Sequence, residues 1–140
     1  MKTLRLLIAL LAALFASLSS LAAADEAKVA EPGAVAEKFY AAYVAQVEAN
    51  KDTKKWVAGS KLVTANFKKA YAKAMSAELV DADPVLNAQD VPSKPFKAGK
   101  PVIKDSTATV VLVTSFGSEK HQVTAKLVKV DGAWLLDSVK

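Results

Sequence analysis

The apolar residues of this chain change their spacing once, at Asp81-Ala82-Asp83-Pro84. Before that point they recur at three and four positions, and after it they alternate along β-branched runs. Helices gathered in one half and strands in the other leave no strand–helix–strand units, so the strands must pair antiparallel and the helices must cover one sheet face. The fold class read from this is α+β, with N-terminal helices packed on a curved antiparallel sheet.

Pro32 suits the first turn of a helix, and from there to about Asn50 the residues Val35, Phe39, Ala42, Tyr43 and Val47 share a face. Asn50-Lys51-Asp52-Thr53 ends it. Trp56 and Val57 begin a short second element that Gly59 interrupts. Ser60 is read as the N-cap of a third helix, with Val63, Phe67, Ala70, Tyr71, Ala74 and Met75 on its dry side, ending near Glu78. Asp81 to Pro95 reads as an ordered loop with room for one helical turn. Val102-Ile103-Lys104, Thr107 to Phe116, Lys120 to Val130 and Ala133 to Val139 then read as strands, with turns at Gly117-Ser118 and Asp131-Gly132. Val110, Leu112, Val123, Leu127 and Trp134 need burial beneath the helices. A sheet bent around the long helix would leave a conical pocket.

Residues 1–24 read as a signal peptide. Lys2 and Arg5 supply the basic start, Leu4 to Leu18 the apolar run, and Ala22-Ala23-Ala24 the small residues, with cleavage after Ala24. An uncleaved spanning helix is the competing reading, but it needs about 20 apolar residues, and Ser17, Ser19 and Ser20 interrupt them. The mature chain is therefore expected in the periplasm or outside the cell, without a membrane anchor. Residues 25–31 form a mobile lead and 32–140 a single domain.

The chain holds no cysteine, which removes disulfides, thiolate nucleophiles and cysteine-bound metals from consideration. Its stability must come from the core. Two of the 19 basic residues leave with the leader and none of the 14 acidic ones do, so the mature charge falls from +5 to about +3. Arg5 is the only arginine, and a nucleic-acid reader without the bidentate guanidinium would be unusual. Lys54-Lys55 and Lys68-Lys69 are read as solvated faces, and nucleic acid is set aside as a partner.

The helix carrying Phe39-Tyr40 and Tyr43, the segment Asp83-Pro84-Val85-Leu86-Asn87-Ala88-Gln89-Asp90, and the ending Val128-Lys129-Val130-Asp131-Gly132-Ala133-Trp134-Leu135-Leu136-Asp137 together resemble the exported bacterial family described as domain of unknown function 3828. The likeness spans roughly residues 32–140. It implies a cone-shaped fold similar to nuclear transport factor 2 and an exported location, and it brings no activity.

Enzymes of that cone shape combine a carboxylate or histidine base with an aromatic hydroxyl. The ingredients would be His121, the only histidine, with Asp137 and one of Tyr40, Tyr43 or Tyr71; the bland alternative makes His121 a rim residue. A hard cation would draw on Asp81, Asp83, Asn87, Gln89 and Asp90, but Val85 stands at a ligand position of the EF-hand spacing and the turn glycine is missing. Asp83, Asn87, Gln89 and Asp90 are instead read as a loop scaffold that satisfies nearby backbone N–H groups, and neither metal nor cofactor is assigned. Tyr43, Trp56, Tyr71 and Trp134 are candidates to line a ligand or partner site, set against their ordinary role as core.

The functional expectation is a binding domain without catalysis, taking a protein or peptide partner or a small apolar ligand in the concave sheet. A narrower form of it is an immunity-type protein that neutralises a toxin in the same compartment. The alternative is a small isomerase- or dehydratase-like enzyme using His121 and an acidic partner. Pairing through the sheet would also allow a homodimer.

Overall fold

The computed structural model describes residues 30–140. The signal peptide expected over residues 1–24 and most of the expected lead lie outside the described residues. Three helices, α1 (Pro32–Glu48), α2 (Thr53–Gly59) and α3 (Ala65–Ala74), precede five strands, β1 (Lys97–Ala98), β2 (Val102–Lys104), β3 (Thr107–Phe116), β4 (Glu119–Val130) and β5 (Ala133–Val139). All pair antiparallel in one open sheet, β1-β3-β4-β5, with β2 beside β1 on the same edge of β3. The α+β reading of the sequence therefore holds. Among the described residues no helix is long and apolar enough to cross a membrane.

Pro32 opens α1, where its missing N–H costs nothing. The helix stops in a left-handed cap: Asn50 has φ of 52°, its N–H donates to the Val47 carbonyl and the Lys51 N–H to the Gln46 carbonyl. Asp52 then caps α2, accepting the Lys55 N–H at 3.0 Å. The third helix begins later than its periodicity suggests. Leu62 to Thr64 runs beside β5, where Val63 pairs parallel with Leu136 and the Thr64 N–H donates to the Leu136 carbonyl. This contact with the sheet holds the chain extended, so Thr64 replaces Ser60 as N-cap, its Oγ1 accepting the Phe67 N–H.

The turn between β4 and β5 follows its residues. Asp131 and Gly132 have φ of 48° and 81°, the paired left-handed conformation that a two-residue hairpin requires. Alternation along β3 and β4 then sends Val110, Leu112, Val123, Ala125 and Leu127 inward, where each is at most 1% exposed.

Helix α1 lies on this inner face and fills it. Phe39, Tyr40 and Tyr43 are fully buried, and the Phe39 ring has four aromatic neighbours, Tyr40, Tyr43, Trp56 and Phe67, with centroids between 5.5 and 5.8 Å. The conical pocket expected from the sequence is thus occupied by the protein's own helix. The helix also grips the sheet edge, with Glu37 Oε1 accepting the Ala98 N–H at 2.7 Å. Gly33 permits that approach, since a Cβ there would stand 3.3 Å from the Ala98 Cβ.

Candidate functional site

His121 and Asp137 do not meet as a catalytic pair. His121 stands at the start of β4, half-buried, with Nε2 2.9 Å from the Leu86 carbonyl oxygen and its ring edge-on to Phe116. It ties the Asp83–Ala88 loop to the sheet. Asp137 lies at an irregularity of β5, where Leu136 pairs with Leu127 but Ser138 with Lys126. Its Oδ1 accepts the Thr64 hydroxyl at 2.7 Å and lies 3.5 Å from Asn66 Nδ2, so it anchors α3. The third ingredient, Tyr40, donates its hydroxyl to the Val85 carbonyl at 2.9 Å. Each group has a separate structural partner, and the enzyme reading has no shared reaction centre.

What the fold does assemble is a hydrogen-bonded chain of hydroxyls ending on Asp83. Tyr43 donates to Asp83 Oδ2 at 2.6 Å, which commits its single proton, so the 2.9 Å contact between the Tyr43 and Tyr71 hydroxyls is donated by Tyr71. Thr53 Oγ1 completes the chain 2.8 Å from Tyr71. The other carboxylate oxygen of Asp83 accepts the N–H groups of Val85 and Leu86 at 2.8 and 2.9 Å. Its backbone closes the same loop with Ala88 and Asn87, and Asn87 adopts φ of 50°. Burial is the main cause that pushes the Tyr40, Tyr43 and Tyr71 hydroxyls above the ordinary tyrosine range, and for Tyr43 the bond to Asp83 adds to it. A hydroxyl held protonated this firmly is a poor base, and the network works as a clamp between α1, α2, α3 and the loop.

The scaffold reading of the acidic segment therefore fits Asp83, whereas Asn87, Gln89 and Asp90 are exposed. Among the described residues no three His, Asp or Glu side chains gather as metal ligands would. Trp56 packs on Phe39, and Trp134 is buried with Lys129 Nζ 5.6 Å from its ring centre, so both serve the core. Among the described residues, two of the grooves at the surface are shallow. One, of about 240 Å³, runs between Val44 of α1 and Pro92 to Phe96; the other, of about 210 Å³, lies between α3 and Pro84, with Asp137 at its wall. Both fall below the usual size of a small-molecule pocket, about 300 Å³ or more.

Sequence reasoning did not single out the outward face of the sheet, where Val102, Val111, Val113 and Val130 are between 38 and 70% exposed. The signal was present in β3, where valine occupies outward as well as inward positions. Alternation identifies the buried face, and the remaining valines pass as ordinary strand residues.

No protein-family model matches the chain, and no curated protein sequence does. Two solved structures are similar to it, both of the type VI effector–immunity complex Tae3–Tai3 from Ralstonia pickettii. The native complex contains a chain with TM-score 0.64 and 14% identity, the match covering 79% of this chain and 94% of that one. The selenomethionine complex gives 0.63 and 15%, covering 79% and 95%. This likeness shows the fold, and it corrects the sequence-based resemblance: neither domain of unknown function 3828 nor a nuclear transport factor 2-like cone is supported. The functions drawn from that cone, a ligand cradled in a concave sheet or an isomerase-like enzyme, fall with it.

Proposed function

We propose that this chain is an immunity-type protein, exported by its leader to the periplasm, where it binds and neutralises a type VI effector. The observation that carries the reading is a fold shared along 94% of one chain from an effector–immunity complex. The chemistry favours the immunity side of such a pair. The chain has no cysteine, and its one histidine is engaged with the Leu86 carbonyl away from any carboxylate partner in the described residues. Its strongest polar constellation clamps the fold instead of facing a substrate.

The test is protection. Each type VI effector of the producing cell is directed singly to the periplasm of a test host, with and without this chain. Rescue of growth from one effector, and co-elution of the two purified proteins as a stable complex, is the expected result. Growth arrest unrelieved for every effector would overturn the reading.

A further inference from the structure

We propose that the outward face of the sheet is the docking surface, and that its occupant is a folded protein with an acidic surface surrounding an apolar centre. The inference deepens the immunity reading and rests on it for the partner's biological identity. Its own basis is the register. Val111 pairs with Thr124, Val113 with Gln122 and Thr109 with Lys126, while Val102 stands opposite Thr109 and Lys97 opposite Val113, so these side chains share the face turned away from α1. Val102, Val111 and Val113 are 70, 38 and 39% exposed, a contiguous apolar centre that the helices leave uncovered.

The charges on this face have one sign. Lys97, Lys104, Lys120 and Lys126 occupy outward positions on three strands, β1, β2 and β4, and no residue that the register pairs on this face is Asp or Glu; Asp137, at the irregularity of β5, is engaged by Thr64 and Asn66. Asp105 and Asp131 lie in the turns at its ends. A second copy docked face to face would oppose lysine rims and raise repulsion, whereas an acidic rim would be attracted and steered. Joining by strand addition is disfavoured as well. One sheet edge carries Lys97, Lys100, Pro101 and Lys104, and the other is occupied at its centre, Leu136, by Leu62 to Thr64. Four strand positions at about 4.8 Å spacing, along strands of about 33 Å, give a face on the order of 600 Å², close to the roughly 800 Å² each partner contributes to a stable complex.

The experiment installs benzoylphenylalanine, a photo-crosslinking residue, at Val111 or Val113, and separately at Lys54 and Ala72 on the helical side. Whole producing cells are irradiated, adducts are identified by mass spectrometry, and the captured protein is purified for titration. The expected result is a single adduct from Val111 and Val113 to a protein with an acidic surface. Its affinity should fall at least about 100-fold for K97E/K104E/K126E, change less than about 3-fold for K54E/K55E, and weaken as salt rises from about 0.05 M to about 0.5 M. All variants alter exposed residues, and unchanged circular dichroism shows that they fold. Failure to label any protein from Val111 or Val113, labelling of a second copy of this chain, or affinity insensitive to the three reversals would overturn the proposal. An effector captured only from Lys54 or Ala72 would sink the surface and spare the immunity reading; an acidic protein that is no effector, captured from Val111 with the predicted charge dependence, would do the reverse.

Discussion

Asp83 joins residues that are distant in sequence: its carboxylate meets Tyr43, 40 positions earlier, and the N–H groups of Val85 and Leu86 just after it. Replacing it leaves those donors without an acceptor, so Asp83→Ala should cost about 3 kcal/mol, the upper range for bonds to a charged group. Asp83→Asn should cost less, because its amide oxygen still accepts from the loop. Urea unfolding of the two variants measures the difference, and equal costs would count against the clamp. The tyrosines make a second prediction. Burial holds Tyr40 and Tyr43 protonated in the folded chain, whereas an unfolded tyrosine loses its proton near pH 10. Above that pH the folded state binds more protons than the unfolded one, so stability is full below about pH 10 and declines beyond it, by up to about 1.4 kcal/mol per pH unit for each tyrosine. Chemical denaturation at a series of alkaline pH values checks this, and a flat profile would contradict it. Both residues could be selected from the sequence as polar groups in an apolar pattern. Their contact could not, because nothing in local spacing brings Tyr43 to Asp83.

Thr64 shows how a helix boundary is decided outside the helix. Its hydroxyl accepts from Phe67 and donates to Asp137, and its own N–H is bonded to Leu136, so one residue caps α3 and fixes it to β5. Thr64→Ala removes both side-chain bonds and should destabilise the protein by about 2 kcal/mol, while Thr64→Ser should retain most of the stability. Thermal unfolding of the pair tests it, and equal losses would assign the effect to the lost methyl group. The sequence suggested Ser60 because a capping residue before an amphipathic run is a local signal. The bridge to Leu136 is not local, and it postponed the helix. Strands β2, β3 and β5 were legible to the residue because β-branched alternation and the Asp131-Gly132 turn agree. The two residues of β1 carry no period at all.

At the scale of the molecule, α1 and the sheet share one core, so helices and strands should unfold together. Far-ultraviolet circular dichroism and tryptophan fluorescence report different parts, Trp56 in α2 and Trp134 in β5. Their urea transitions should coincide, and separated midpoints would show that the helical half has its own stability. The class of fold was readable because the hydrophobic period changes once along the chain. The cone was not, since periodicity states which side of a sheet is dry and leaves open whether a helix seats flat upon it or stands over a cavity.

The guarded margins of the sheet bear on life before any partner arrives. A protein that exposes valines while it waits is at risk of stacking into fibrils, and that growth needs free strand borders. Here lysines and a proline defend one border and the Leu62–Thr64 strap the other. The molecule can therefore keep a sticky surface ready at high concentration without consuming itself.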